Sequence, residues 1–188
     1  MTASTDLAGI LISDHALRLF NTWRSLCREG RAPGWSDFDP ASVPDVLRFL
    51  AVLRPGPEKQ LTISIFGTEL REVLDREITG LDALDDIPGI EHFQLREMLS
   101  TVRRGRQAFI TLRNVYPKDR PATQLQAMCL PTLDADGNIA RMISAFIPVR
   151  AKEERLADIL EGGRARMDMA AMIRYDIATD SFSAAQTA

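Results

Sequence analysis

Few side chains in this sequence are placed to do chemistry, and the sharpest candidate is His92. With Leu95 at i+3 and Leu99 at i+7, a helix through this stretch sets the imidazole beside an apolar stripe. A neutral imidazole in an apolar cavity is a competent axial ligand for haem iron, although a histidine in a first helical turn is also commonly a half-exposed surface residue. His15 has no evident partner. The two cysteines, Cys27 and Cys129, fall at positions that read as core, as free thiols in a reducing compartment rather than as a disulfide. Asp134-Ala135-Asp136-Gly137-Asn138 has the acidic look of a calcium loop. Its glycine comes too early and no bidentate glutamate follows, so it reads as a β-turn between strands. The carboxylates between Glu69 and Asp86 read as a solvated helical face. The sequence offers no Ser/His/Asp arrangement, no phosphate-cradling glycine loop and no Cys/His cluster with metal spacing. The expectation is therefore a non-catalytic chain with no metal site and no cofactor, the alternative being a haem or other redox sensor using His92.

The elements that must position these residues follow from periodicity. Ala16, Leu19, Phe20, Trp23, Leu26 and Cys27 recur at helical spacing, predicting a helix from about Asp14 to Glu29 with Ser13 able to cap it and Gly30 ending it. Ser42 can cap a short helix in which an early Pro44 is tolerated. Phe49 to Leu53 and Leu61 to Phe66 read as a hairpin about Arg54-Pro55-Gly56-Pro57. At Gly67 the period changes from 2 to 3.6: Leu70, Val73 and Leu74 form the stripe of a short helix, with Thr68 placed to cap it and Gly67 supplying backbone freedom. A longer helix from about Ile90 to Arg104 carries Leu95, Met98, Leu99 and Val102. Three extended segments follow, roughly Arg106 to Tyr116, Ala122 to Leu133 and Asn138 to Val149.

This order, with Asn21-Thr22-Trp23-Arg24, Gly30-Arg31-Ala32-Pro33, Asp37-Phe38-Asp39-Pro40, Gly67-Thr68-Glu69-Leu70, Arg76-Glu77-Ile78-Thr79-Gly80 and Leu130-Pro131-Thr132-Leu133-Asp134-Ala135-Asp136-Gly137, resembles the PAS domain, and more closely a bacterial family of short, stand-alone PAS-type proteins. The resemblance covers roughly Ser13 to Val149. It implies an α+β fold with one five-stranded antiparallel sheet and helices on one face. Residues 1–40 become an N-terminal helical extension and linker, 41–150 the PAS domain and 151–188 a C-terminal tail. The motifs are structural, so they argue the fold more than the function. The resemblance also implies that a histidine on the long helix could serve a haem-binding PAS protein. Flavin photochemistry of the light-sensing PAS type would need a reactive cysteine in an Asn-Cys-Arg-like context, which neither cysteine has.

The tail reads as partly helical. Leu156, Ile159 and Leu160 mark one amphipathic stretch and Met169, Met172 and Ile173 another, interrupted at Gly162-Gly163, with Ser181 to Ala188 disordered. It serves either as a docking tail for a signalling partner or as a helix packed on its own domain.

Both faces of the last PAS strand are apolar, with Ile139, Ile143, Ala145, Ile147 and Val149 on one side and Ala140, Met142 and Phe146 on the other. Two apolar faces require two covers. The first helix, a second subunit or both would supply the outer one, through Leu19, Phe20 and Trp23 against Met142 and Phe146, and a homodimer is the expectation. If a cavity separates the long helix from the sheet, its walls include Leu84, His92, Leu95, Leu99, Ile110 and Leu112, which would take a small hydrophobic ligand; otherwise the same side chains pack directly on one another.

Composition excludes some partners. The net charge of −3 across 188 residues offers no broad basic surface for nucleic acid. No basic n-region precedes the short apolar run near Met1 to Ile12, and no stretch is long enough to span a bilayer, so no membrane insertion and a cytoplasmic location are expected. The function expected is that of a sensory or regulatory module acting through a small ligand, a protein partner or both, with its output made by another protein. An enzyme on a related α+β fold is the alternative with least support.

Overall fold

The computed structural model describes residues 13–56, 60–83, 106–151 and 154–184. Helix α1 (Asp14–Leu26) buries Ala16, Leu19, Phe20 and Trp23, the apolar stripe read from the sequence. Ser13 is its N-cap residue by backbone geometry, yet its hydroxyl caps nothing; its N–H instead donates to the Gln126 side chain at 3.3 Å. The helix stops at Leu26 rather than Glu29 because Cys27 turns extended, and positive φ at Glu29 (51°) and Gly30 (67°) then reverses the chain.

Tight turns at Trp35–Asp37, Pro40–Ser42 and Pro44–Phe49 lead into β1 (Leu50–Pro55), which pairs with β2 (Leu61–Phe66). Asp39 caps the second of these turns, accepting from the Ala41 N–H at 2.9 Å. Helix α2 (Thr68–Leu74) follows, and here two expectations are corrected. Gly67, not Thr68, is the N-cap residue, and its φ of −66° is open to any residue. Glycine is needed for space: a Cβ would stand 2.4 Å from the Arg48 carbonyl oxygen and 2.7 Å from that of Leu47.

Strands β3 (Gln107–Tyr116), β4 (Thr123–Leu133) and β5 (Ile139–Pro148) fall close to their predicted bounds. The Asp134 carboxylate accepts from the N–H groups of Asp136 (3.0 Å) and Asn138 (2.8 Å), which makes the acidic run a turn stabilised by its own side chain.

The tail departs from expectation. After a short helix α3 (Leu156–Leu160), which does bury Leu156, Ile159 and Leu160, the chain forms β6 (Arg166–Asp176) and β7 (Ser181–Ala184). The sheet therefore has seven strands among the described residues, in the order β2-β1-β5-β4-β3-β6-β7, all antiparallel, rather than five. The segment holding Met169, Met172 and Ile173 is a strand, not a helix, and Ser181–Ala184 is paired rather than disordered. The cause is β3. As the last strand of a five-stranded sheet it would present a long open edge, and β6 pairs along it from Gln107↔Asp176 to Tyr116↔Arg166. The opposite edge is closed too: along β2, the Ile63 N–H donates to the Leu81 carbonyl (3.0 Å) and the Gly80 N–H to the Ile63 carbonyl (2.7 Å).

Register assigns the faces. Tyr175 lies opposite Ala108, Leu112 opposite Gln126, Gln126 opposite Ile147, and Leu130 opposite Ile143. Helix α1 touches this face at two separated points, through Ser13 on Gln126 and through Phe20 on Tyr175. Met142 and Phe146, each two residues from Ser144 and so in phase with it, belong to the other face with Cys129, Ala127 and Phe109.

Candidate functional site

The most elaborate side-chain assembly among the described residues joins the first element to the last two. Phe20 meets the Tyr175 ring edge-on at 5.0 Å between centroids, and Trp23 meets the same ring at 6.1 Å. Phe182 of β7 completes the group, 5.0 Å from Tyr175 and 5.6 Å from Phe20. Such tilted and edge-on contacts add to the large apolar area that the rings bury. The Trp23 indole N–H is satisfied by the Pro131 carbonyl at 2.8 Å.

Above these rings sits a charged clasp. Arg24 Nε donates to Asp180 Oδ1 at 2.7 Å and its Nη2 to Oδ2, forming a bidentate pair across 156 residues of sequence. The Tyr175 hydroxyl also donates to Asp180 Oδ1, and the Arg24 guanidinium lies 5.9 Å from the Tyr175 ring centre. The hydrogen bond from Arg24 holds the Asp180 carboxyl below the usual carboxylate range. Burial, and then the bond to Asp180, push the Tyr175 hydroxyl up. Burial likewise raises the Cys27 thiol to about 11 and that of Cys129 to about 12, so both remain protonated and unreactive at neutral pH. The two cysteines are free of one another.

A second junction fastens the chain just after β5. The carboxylate of Glu69 on α2 is buried, accepts the Leu156 N–H at 2.9 Å and lies 3.6 Å from Arg48 Nη1. Arg48 in turn donates to the Ala151 carbonyl at 3.1 Å and stacks over the Phe49 ring at 4.6 Å. Glu72 pairs with Arg155 at the surface beside it. The sequence placed Glu69 on a solvated face; its neighbours Leu70 and Val73 are buried with it because α3 packs over α2.

The residues expected to line a pocket are only partly visible. Leu84, His92, Leu95 and Leu99 lie outside the described residues. Ile110 is buried and Leu112 half-buried, and both belong to the face that α1 covers. Leu19, Phe20 and Trp23 are fully buried within one chain. They do not meet Met142 and Phe146 across one face: the even-numbered positions of β5 point to the opposite side of the sheet, so this pairing in the sequence reading is corrected by register. The apolar groups on either side of β5 thus find cover without a second copy on the α1 side. Arg24, Tyr175, Asp180 and Glu69 escaped the sequence reading. Arg24 follows Phe20 by one helical turn, and Asp180 ends an Asp176-Ile177-Ala178-Thr179-Asp180 turn, but no local signal links positions so far apart.

The model of the PAS domain family matches residues 12–147. The chain belongs to the PAS domain family. No curated protein matches it. Among solved structures, it is similar to a light-oxygen-voltage domain studied with a flavin analogue, at 17% identity and a TM-score of 0.42, covering 60% of this chain and 87% of that one. It is similar to an RNA-binding light-oxygen-voltage receptor at 16% identity and a TM-score of 0.39, over 69% of this chain and 38% of that one. The light-state structure of the blue-light photoreceptor Aureochrome1 LOV matches at 12% identity and a TM-score of 0.39, over 66% of this chain and 98% of that one. The family match ends at residue 147, so α3, β6 and β7 lie beyond it. Among the described residues no helix is long and apolar enough to cross a membrane, and no group of three or more His, Cys, Asp or Glu side chains could hold a metal ion.

Proposed function

We propose that this PAS protein is a non-catalytic regulatory module that relays its state to a separate signalling protein through the β6-β7 hairpin. The observation that carries this reading is the Arg24-Asp180-Tyr175 clasp, which ties α1 to a hairpin hydrogen-bonded to β3 of the PAS sheet. A change in the sheet is felt along the whole β3-β6 ladder, and the exposed clasp is weak enough to yield to it. The signal enters as a small hydrophobic ligand or as the partner itself. A homodimer remains part of the proposal only through surfaces other than the apolar stripe of α1, which is consumed within one chain.

Native mass spectrometry of the full chain purified without added cofactor reads stoichiometry and any retained molecule together. Hydrogen exchange with and without that molecule, or with a partner identified by its dependence on an intact clasp, then reads the hairpin. Altered protection of residues 166–184 supports the relay. Unaltered protection there, with changes elsewhere, overturns it.

A further inference from the structure

The β6-β7 hairpin is held by remote parts of the chain: the edge of β3, the rings and Arg24 of α1, and the turn at Gly30, where a Cβ would stand 3.0 Å from the Ala178 Cα. What joins it to the rest is a short, bent connection. Helix α3 is anchored at its start, since buried Glu69 accepts the Leu156 N–H, and β6 begins at Arg166. Between them Glu161, Gly162 and Gly163 have φ of 49°, 67° and 81°, consecutive residues in the left-handed region. Glycine adopts that region freely, but Glu161 does so under strain. Little offsets it: Glu161 Oε1 accepts the Lys118 N–H at 2.7 Å on an exposed turn, and the Ala165 N–H reaches the Leu160 carbonyl at 3.2 Å. Water takes over such bonds when a surface turn opens. A short, strained hinge next to an element with remote contacts invites two copies to trade that element.

The surface that receives the hairpin is selective. A strand added to β3 must set a large ring opposite Ala108, where Phe20 and Trp23 meet it, and must place a carboxylate on Arg24 beyond its end. Tyr175 and Asp180 meet both demands, and β7 adds Phe182 against Phe20. The hairpin's own sequence is thus the one that fits, which makes the matching partner a second copy of this chain. Residues 161–165, fully extended, span about 17 Å, enough to carry β6 from α3 of one copy to the Tyr116 end of β3 in a neighbour.

We infer that two copies exchange their β6-β7 hairpins about the Glu161–Gly163 hinge, so that Tyr175 and Asp180 of each chain close over Phe20, Trp23 and Arg24 of the other. The exchange goes beyond the homodimer of the proposed function, because it uses no further surface of α1: each contact of the closed chain is kept and made between chains. Opening the hinge lets Glu161 return to negative φ, which favours the exchanged pair, whereas the high local concentration of a tethered hairpin favours the closed chain.

A charge-swapped pair tests this. R24D sets two carboxylates against each other in its own clasp, and D180R sets two guanidinium groups against each other. A dimer with one chain of each kind restores both clasps, but only if the hairpins have crossed. The two variants, mixed in urea and refolded together, should give a native mass spectrum in which the mixed dimer exceeds its statistical share at least about tenfold, and R24D/D180R in one chain should abolish that bias. A statistical distribution of the three dimers would place the interface elsewhere and overturn exchange. Monomers alone would overturn it as well, while the relay through the hairpin would still stand or fall on hydrogen exchange. Should either charge variant fail to fold by circular dichroism, the hinge decides through sedimentation of the full chain. E161G, which relieves the closed turn, should weaken the dimer at least about fivefold, and G163A, which strains it further, should strengthen the dimer by a similar factor. A monomer–dimer balance indifferent to both changes would overturn the inference.

Discussion

Glu69 and Asp180 both fasten the C-terminal chain to earlier elements, and both do so with an arginine nearby, but in opposite surroundings. The Glu69 side chain is 9% exposed and spends one oxygen on a backbone N–H; Arg24 and Asp180, at 36% and 55%, meet at the surface. Removing a buried acceptor leaves its donor stranded away from water, whereas removing an exposed ion pair lets water take its place. The Glu69 junction therefore belongs to the fold, and the Asp180 clasp is an adjustable fastening over a buried aromatic floor. Strength lies in Phe20, Trp23, Tyr175 and Phe182; sensitivity lies in the charges above them.

The contrast can be broken at four points. Trp23→Ala removes the fully buried ring under the clasp and should cost about 3–5 kcal/mol in urea unfolding, freeing the hairpin to rapid hydrogen exchange. A loss below about 1 kcal/mol would mean the aromatic floor does not hold β6 and β7. Gly67→Ala forces a Cβ against the Arg48 carbonyl on the other junction, with an expected loss of about 3 kcal/mol and reduced protection of α2. Glu69→Ala strands the Leu156 N–H and should cost about 2 kcal/mol, with E69Q recovering most of it because an oxygen is kept for that donor. If E69A and E69Q are equally mild, the junction is not buried in solution.

Asp180→Asn is the smallest change, below about 1 kcal/mol, and it is the one that salt and pH should mimic. The folded carboxyl is depressed, so its contribution is complete above the ordinary carboxylate value of about 3.9 and disappears as pH falls through the lower folded value. Tyr175 works in the other direction: its contribution is complete below the ordinary phenol value of about 10 and is lost as pH rises toward the raised folded value. Exchange at β7 amides, corrected for intrinsic rates, should accelerate toward pH 3 in the unaltered protein and lose that dependence in D180N. A parallel acid response in both would move the titrating group elsewhere.

The described elements up to residue 150 were legible because each announces itself locally. Leu61 and Ile63 alternate, Leu70 and Val73 keep helical phase, and all four are buried where the pattern puts them, whereas Ile65, which the same alternation places on the buried face, is 41% exposed beyond the bulge opposite Val52 and Leu53. The tail was misread because Met169, Met172 and Ile173 fit a helical period as well as a strand. What decides between them is the open edge of β3, a partner more than fifty residues away in sequence. The same distance hides Arg24 from Asp180 and Glu69 from Leu156. Grouping Met142 with Trp23 failed for a narrower reason, since facing in a sheet changes with every residue and the sequence does not say which parity α1 will cover. Four of the expected pocket residues, Leu84, His92, Leu95 and Leu99, lie outside the described residues.

The reach of the clasp also sets an order of events during synthesis. Phe20 and Trp23 leave the ribosome about 150 residues before Tyr175 and Phe182, which complete their burial and are among the last described residues to be made. Until then α1 shows apolar rings to solvent or to chaperones, and the newborn chain cannot close its sheet on β3. A ribosome-stalled series should therefore gain protease resistance at α1 only after residue 182 has emerged; resistance arising with β5 alone would mean that the helix seats itself before the hairpin exists.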